Sequence, residues 1–295
     1  MVGLQSLKSI QWLGQFTKLR QLDVSKCHEI PALPGVEHLT SLKMLNISGL
    51  EKLKSIEGLG QLTQLREKLK SIEGLGQLTQ LRELNVGECH EISELPGVEN
   101  LTFLEKLNIS GLGKVKRIPG LGQFTHIGQL DVSQCHEISE LPGLEHLVSL
   151  KKLNVSGLRK LKSIQELGQL RQIKELDVSK CHHISELSGI EHLISLEKLN
   201  ISGLGKIKSI PGLGQLTQIR ELNVSDCYEL QELQGVEYLT ALEIINACEC
   251  PKLRWREGIA EKLRQQLKEG FKYEKERKRC SCLEFLQSLF DFSRP

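Results

Sequence analysis

The sequence predicts an α/β solenoid, in which short parallel strands stack along the length of the chain. Leu84, Leu107 and Leu130 begin a series of leucines that recurs at every twenty-third position. Around each of them apolar and polar residues alternate, which indicates a short β-strand with one buried face. Glycines recur at fixed positions between these strands, where a chain that closes into coils needs tight turns. The strand residues are Leu22, Leu45, Leu84, Leu107, Leu130, Leu153, Leu176, Leu199, Leu222 and Ile245.

The complete repeat is Leu-x-x-Leu-x-x-Leu-x-Val/Ile, followed by Cys or Leu, and this is the pattern of a leucine-rich repeat. A three-residue strand has no stability alone, so each strand must stack on its neighbours in a parallel sheet. Because a coil this short leaves too little chain for a full helix, we expect short 3₁₀ or extended segments opposite the strands. The predicted fold is a leucine-rich-repeat horseshoe with concave strands, convex 3₁₀ or extended segments and a C-terminal helical cap.

The predicted solenoid covers residues 1–253 and holds ten regular coils. Its first residues, "MVGLQSLKSI", align position for position with "ISGLEKLKSI" at residues 47–56. The chain therefore begins in the middle of a repeat, just after a strand position. We expect it to be a fragment of a longer protein.

Residues 254–295 predict a C-terminal helical cap and a basic tail. Ile259, Leu263, Leu267 and Phe271 recur every four residues, which indicates an amphipathic helix that covers the last coil. The run "KYEKERKR" and the apolar segment "CSCLEFLQSLFDF" follow and favour a solvated linker with a second short helix. The alternatives are contact with a membrane surface through acylated cysteines at 280 and 282, or a nuclear-import signal.

A direct duplication interrupts the repeat near the N-terminus. The segment "EKLKSIEGLGQLTQLR" occupies residues 51–66 and again residues 67–82. If the spacing continued from Leu45, the next strand leucine would stand where the chain has Lys68, and Lys70 follows at the next inward position. Because two lysines in an apolar layer would be costly, we predict an irregular coil near residues 66–76 that locally interrupts the sheet.

Composition and charge exclude several classes of function. The net charge is +2, which carries no sign of a nucleic-acid binder. No apolar run approaches the length of about 18 residues that spans a membrane, and the N-terminus lacks the pattern of a signal peptide. Nine cysteines without such a signal indicate a reducing compartment. We expect a cytoplasmic protein, with the nucleus as the alternative.

The recurring Cys-His-Glu motif at residues 27, 89 and 135, and Cys-His-His at 181, resembles a set of zinc ligands. Coils that carry a cysteine are two strands apart, about 10 Å, whereas zinc bonds are about 2 Å long. We therefore expect these thiols to point inward and to donate to backbone carbonyls. No nucleophile, base or phosphate-binding loop stands outside the repeat, so the sequence predicts no enzyme, no metal site and no cofactor.

The concave strand face is the predicted site for another protein. The residue before each strand leucine is acidic or Gln in one type of coil and usually Lys in the other, while the residue after it is Asn or Asp. Such columns can also satisfy one another as structural ladders, and this alternative stays open. The candidate partner-binding residues are Lys106, Asn108, Gln129, Asp131, Lys152, Asn154, Glu175, Asp177, Lys198 and Asn200.

The segment "LDVSQCHEISELPGLEHLVSLKKLNVSGL" resembles the leucine-rich-repeat region of plant intracellular nucleotide-binding disease-resistance proteins. The resemblance extends over about residues 4–253, although no phosphate-binding loop or signalling domain occurs in the chain. It implies a non-catalytic protein-recognition module in plant innate immunity, which senses an effector or modulates a receptor switch. The alternative is an adaptor or regulatory scaffold, such as a ubiquitin-ligase substrate receptor or a phosphatase regulator.

Overall fold

Two compact units, Met1–Leu147 and Val148–Pro295, make up the chain. The structure, a computed structural model, describes residues 3–4, 6–54, 74–164, 167–267 and 270–272. In each unit every regular coil contributes one strand of three residues and one short 3₁₀ turn. Both units have the leucine-rich-repeat solenoid fold, which confirms the predicted fold class.

The strands pair in parallel and in chain order within each unit. In the first unit, β1 pairs with β2, β2 with β3, β3 with β4 and β4 with β5. In the second unit, β6 pairs with β7, and the pairing continues through β8 and β9 to β10. The strands are β1 Gln21–Asp23, β2 Met44–Asn46, β3 Glu83–Asn85, β4 Lys106–Asn108, β5 Gln129–Asp131, β6 Lys152–Asn154, β7 Glu175–Asp177, β8 Lys198–Asn200, β9 Glu221–Asn223 and β10 Ile244–Asn246.

Register places equivalent residues side by side, so that each repeat position forms a column running from coil to coil. Leu176 lies between Leu153 and Leu199 in the sheet. Backbone hydrogen bonds continue this stacking beyond the strands, since Val178 N–H donates to the Asn200 carbonyl at 2.9 Å. Every coil is therefore attached to its neighbours within a unit by both backbone and side chains.

Three of the inward columns of the apolar core belong to the strand or follow it closely. Leu176, Val178 and Cys181, at the strand position and two and five residues later, are all completely buried. Full burial of one such aliphatic side chain is worth about 1.5–3 kcal/mol. Because each coil buries these groups only against the next one, stability is a sum over neighbouring coils.

Short 3₁₀ turns lie opposite the strands, as the repeat length predicted. Glycines with left-handed backbone precede many of them, for example Gly97 with φ 82° and Gly143 with φ 89°. The 3₁₀ turns span Gln11–Gln15, Val36–His38, Gly74–Gln77, Val98–Asn100, Leu121–Gln123, Leu144–His146, Leu167–Gln169, Ile190–His192, Leu213–Gln215 and Val236–Tyr238.

Glycines on adjacent coils also allow the backbones to come very close. A Cβ at Gly235 would lie 2.6 Å from the nitrogen and 2.8 Å from the Cα of Gly214. The same pairing occurs between Gly189 and Gly168, where a Cβ would lie 2.9 Å from the nitrogen. Side chains are excluded at these points by both the φ angle and the contact.

The C-terminal end differs from the prediction in one respect. Helix α1 spans Ile259–Leu267, with Leu263 and Leu267 buried, and Phe271 belongs to a strand and not to the helix. Residues Phe271–Lys272 form strand β11, which pairs in parallel with β10. A Cβ at Gly270 would lie 2.1 Å from the Glu243 carbonyl oxygen, so the chain enters this strand where only glycine fits. In the described ranges no helix is long and apolar enough to cross a membrane.

The duplicated segment does not interrupt the sheet, contrary to the prediction. Strand β2 pairs directly with β3, so Leu45 and Leu84 are neighbours although they stand far apart in sequence. The additional residues lengthen the connection between two adjacent strands. Residues 66–73 of the predicted irregular coil lie outside the described residues, and Gly74–Gln77 form a 3₁₀ turn.

Gly235→Ala should lower the free energy of unfolding by about 2–4 kcal/mol, because the added methyl group clashes with Gly214 and the φ of 90° strains any L-residue. The matched control is Gly205→Ala, since a Cβ there meets no atom within 4 Å. Urea denaturation of both variants measures the difference. Equal stability of the two variants would contradict a close approach of the coils.

Candidate protein-interaction surface

The column immediately before the strand leucine points outward and carries alternating charge. In the first unit, Lys106 Nζ lies 3.3 Å from Glu83 Oε1, with side chains 39% and 40% exposed. Gln129 follows Lys106 on the neighbouring strand. Glu83 and Lys106 therefore form an ion pair between adjacent strands, and both groups remain open to solvent.

The same column is less exposed in the second unit. Lys152 and Glu175 are 3.5 Å apart with 19% and 18% exposure, and Lys198 and Glu221 are 3.0 Å apart with 26% and 14%. Partial burial strengthens the attraction within a pair but removes hydration from both charges. The ion pairs therefore contribute little to stability, and their main effect is to hold the charged side chains in defined positions on the strands.

A second outward column, two residues before the strand leucine, was missed in the sequence. Lys174 lies 2.8 Å from Glu197, and Arg220 lies 3.3 Å from Glu243. These side chains are between 35% and 61% exposed. We call this column and the preceding one the outward strand face. The recurrence of a charged residue at this position in nine of the ten coils could have revealed the second column.

The column after the strand leucine has a structural role. Asn154, Asp177 and Asn200 are only 5–9% exposed. Each side-chain Oδ1 accepts a hydrogen bond from the backbone N–H two residues later, at 2.8–3.1 Å. This Asx turn bends the chain out of the strand. The same geometry occurs at Asn108 and Asp131, so five of the ten candidate residues are held in turns.

Hydrogen bonds also link this column between coils. Asn200 Nδ2 donates to Asp177 Oδ2 at 2.9 Å, and Asn46 Nδ2 donates to Asp23 Oδ2 at 3.0 Å. Burial alone would raise the pKa of Asp23, but donation from the Ser25 hydroxyl, the Ser25 N–H and Asn46 lowers it below its usual value. The ionised carboxylate is therefore the form that the turn stabilises.

The recurring cysteines point inward, as predicted. The thiols of Cys135, Cys181 and Cys227 donate to backbone carbonyls of the preceding coil at 3.1–3.2 Å. Burial raises the pKa of each of these thiols to about 12. Since the thiolate is the reactive and metal-binding form, these cysteines serve packing.

The histidines at positions 90 and 182, each directly after a recurring cysteine, lie on the surface. Nδ1 of His90 is 3.0 Å from the Gly111 carbonyl, and Nδ1 of His182 is 2.9 Å from that of Gly203. A carbonyl only accepts, so Nδ1 carries the proton in both rings. Among the described residues no group of three or more His, Cys, Asp or Glu side chains is arranged to hold a metal ion.

A shallow cavity of about 610 Å³ adjoins helix α1. Trp255, Arg254, Arg256 and Arg264 line it together with two glutamates and small or apolar residues. None of its lining residues carries a thiol, an imidazole or a hydroxyl group. The cavity offers charged groups of both signs for binding.

An exposed position five residues before the strand leucine contains a departure from the repeat that sequence reasoning also missed. Three consecutive coils carry Val148, Arg171 and Ile194 there. In the other described coils the residue is threonine, at Thr17, Thr40, Thr79, Thr102, Thr125, Thr217 and Thr240. Comparing each coil with the repeat consensus, and not only with the leucine pattern, would have identified these three residues.

Comparison with known proteins supports the fold. A model of the leucine-rich repeat region family matches residues 67–187, whereas no curated protein matches the sequence. An internalin (InlF) from Listeria monocytogenes has a similar structure, with a TM-score of 0.59 and 18% identity over 94% of this chain and 86% of that chain. The leucine-rich-repeat domain of the type III effector XCV3220 (XopL) gives a TM-score of 0.60 and 19% identity over 80% and 79%.

The functional domain of InlJ from Listeria monocytogenes, described as including a cysteine ladder, is also similar. Its TM-score is 0.53 at 19% identity, and the match covers 85% of this chain and 60% of that one. At these identities the likeness shows the fold alone. The leucine-rich-repeat fold suggests a protein–protein interaction module, and modules of this fold are typically non-catalytic.

Asn200→Ala should destabilise the protein by about 2–3 kcal/mol, because it leaves the Ser202 N–H and an Asp177 oxygen without their partner. Gln172→Ala, at an exposed site, should change stability by less than about 0.5 kcal/mol. Urea denaturation compares the two. Undiminished stability of Asn200→Ala would show that the column is not structural.

Alkaline pH should reduce the stabilising effect of Cys181. Its pKa is raised in the folded chain, so the native thiol stays neutral while the unfolded thiol ionises above its ordinary value of 9.0. Stability from the thiol is complete below pH 9.0 and is lost as the pH rises toward about 12. The difference in unfolding free energy between the natural chain and Cys181→Ala should shrink by about 1.4 kcal/mol per pH unit in that range. A difference that stays constant between pH 8 and 11 would contradict the buried thiol.

Proposed function

We propose that the chain is a non-catalytic protein-recognition module whose outward strand face binds another protein. One observation carries the proposal: two adjacent columns of charged side chains stand outward on rigid, hydrogen-bonded strands. The candidate residues in the first column are Lys106, Gln129, Lys152, Glu175 and Lys198. The cysteine thiols of the repeat are buried in the core, and the Asn and Asp side chains after the strands are held in turns.

The extent of this face favours a macromolecule as the ligand. Strands in a sheet lie about 4.8 Å apart, so the five strands β6 to β10 span about 20 Å. A small molecule would contact one or two strands, whereas a protein surface can follow charges over the whole set. Because the column directly before the strand leucine alternates in sign from β6 to β9, a partner that binds this column must carry charges of alternating sign at the same spacing.

Recognition through such a face depends on short-range complementarity. A net charge of +2 gives little long-range steering of a charged partner. The ion pairs on the face already satisfy one another, so a partner has to present groups that replace or extend them. Misplaced charge on the wrong partner would be repelled, and the pattern therefore contributes specificity more than affinity.

The resemblance to plant disease-resistance receptors extends the proposal to innate immunity, where the module would sense an effector or modulate a receptor switch. An adaptor or regulatory scaffold is the alternative, with the same face binding a substrate. The gene sequence upstream of residue 1 tests the choice. A nucleotide-binding domain in frame supports the receptor role, and an adaptor-docking helical motif supports the scaffold role.

The double variant Lys152→Glu/Glu175→Lys should abolish partner binding while it preserves folding. Exchanging the two residues keeps the ion pair between β6 and β7 but reverses the sign of charge on each strand. A partner selected on the natural chain from a displayed cDNA library should bind the exchanged variant at least tenfold more weakly, as measured by surface plasmon resonance.

The exposed pair Lys52–Glu29 provides the control, because it lies beyond the strands and not on the outward strand face. Its exchange, Glu29→Lys/Lys52→Glu, should leave the dissociation constant within about twofold. Unchanged affinity of the Lys152/Glu175 exchange, with circular dichroism and melting temperature also unchanged, would exclude the outward strand face as the binding site.

A further inference from the structure

Three consecutive coils of the second unit break the repeat at an exposed position. Val148 and Ile194 are 54% and 61% exposed, and Arg171, between them, is also exposed. The seven threonines at the same position of other described coils are all exposed. A solvated threonine therefore satisfies the fold at this position, and the apolar residues gain nothing from the core. We call Val148, Arg171 and Ile194 the substituted patch.

Strand register determines the spacing of the substituted patch. Strands β6, β7 and β8 pair in parallel with equivalent residues side by side. At about 4.8 Å per strand, the residues at 148 and 194 are about 10 Å apart. Arg171 belongs to the coil between them. The patch thus presents two apolar side chains with a guanidinium group midway.

Near the substituted patch, the described charged side chains that form no ion pair are positive. Lys174, on the adjacent outward column, is paired with Glu197 at 2.8 Å. Within the described part of the chain, neither Arg171 nor the exposed Lys151 forms an ion pair. These two cations attract a carboxylate from outside and repel a cationic partner.

We propose that the substituted patch docks an amphipathic helix of another protein, with apolar residues at positions i and i+7 and Asp or Glu at i+3 or i+4. These positions share one helix face, and i to i+7 spans about 10.5 Å. The apolar side chains cover Val148 and Ile194, and the carboxylate accepts paired hydrogen bonds from the Arg171 guanidinium. Lys151 adds attraction for acidic residues on the flank of the helix.

The combination of residues distinguishes this patch from ordinary exposed apolar side chains. Scattered single apolar residues occur on most protein surfaces. Here the three departures are consecutive and replace a threonine that the rest of the chain repeats. Apolar contacts beside a guanidinium group provide both buried area and a directional charge contact, which is the composition of an interaction site.

The three residues of the substituted patch are separate from the outward strand face, to which only the flanking Lys151 belongs, and their docking role does not depend on the proposed function. The substituted patch precedes the strands, whereas Lys152 and Glu175 lie on them. Loss of binding in the strand-face exchange leaves the patch untested, and consensus substitutions in the patch leave the strand-face charges in place. The two sets of variants therefore test protein binding by the outward strand face and helix docking at the substituted patch separately.

A displayed library of stable helices, varied at positions i, i+3, i+4 and i+7, tests the docking site on the full chain. The comparison variant is V148T/R171T/I194T, which restores the residue found in the other described coils and should keep the circular dichroism spectrum and melting temperature. Selection should enrich apolar residues at i and i+7 with Asp or Glu between them. Selected helices should bind the variant at least tenfold more weakly.

Thr217→Val serves as the matched control, since it adds an exposed apolar residue at the same repeat position outside the patch. It should leave the affinity of selected helices within about twofold. Enrichment of Lys or Arg between the apolar positions, equal binding to the triple variant, or no selected helix would overturn the proposal. A dimer of the natural chain in sedimentation, absent from the triple variant, would identify a second copy as the occupant and overturn it as well.

Discussion

Stacking of the strand leucines between neighbouring coils is the interaction on which the rest of the structure depends. A three-residue strand has no stability alone. Leu176 therefore contributes to stability only when Leu153 and Leu199 pack against it on the neighbouring strands. The requirement repeats at each coil and favours aliphatic residues and cysteine in the inward columns, where Phe124 is a buried aromatic exception. It also requires backbones to approach closely on the opposite side, where Gly214 and Gly235 leave no room for a side chain.

Tight stacking also buries polar groups of each turn, and these groups need hydrogen-bond partners. The Asn and Asp side chains after the strands accept from backbone N–H groups, and the cysteine thiols donate to carbonyl oxygens. Much of the polarity in the repeat is therefore structural. Recognition is left to the columns that are neither inward nor held in turns, namely the outward strand face and the position of the substituted patch.

The constant spacing of the strand leucines was sufficient to place all ten regular strands, because residues such as Leu107 can be buried only by stacking. Geometry was also sufficient to turn Cys135 inward.

Strand β11 could not be predicted, since Phe271 continues the four-residue spacing of helix α1 and the decisive contact at Gly270 is a tertiary one. The role of Asn200 was equally hidden, because an outward polar residue and an Asx-turn acceptor have the same sequence pattern. The continuous sheet between β2 and β3 depends on how the duplicated residues are accommodated, which the strand period does not specify.

The central claim is that the fold resides in the inward and turn columns, and that recognition resides in the exposed departures and charges. Saturation mutagenesis with two parallel readouts, cellular abundance and binding of a selected partner, tests it most directly. We expect loss of abundance at the leucine, cysteine, glycine and Asn/Asp columns. We also expect loss of binding with normal abundance at the outward strand face or at Val148, Arg171 and Ile194. Binding-specific losses concentrated instead at Cys181, Asn200 or the paired glycines would contradict it.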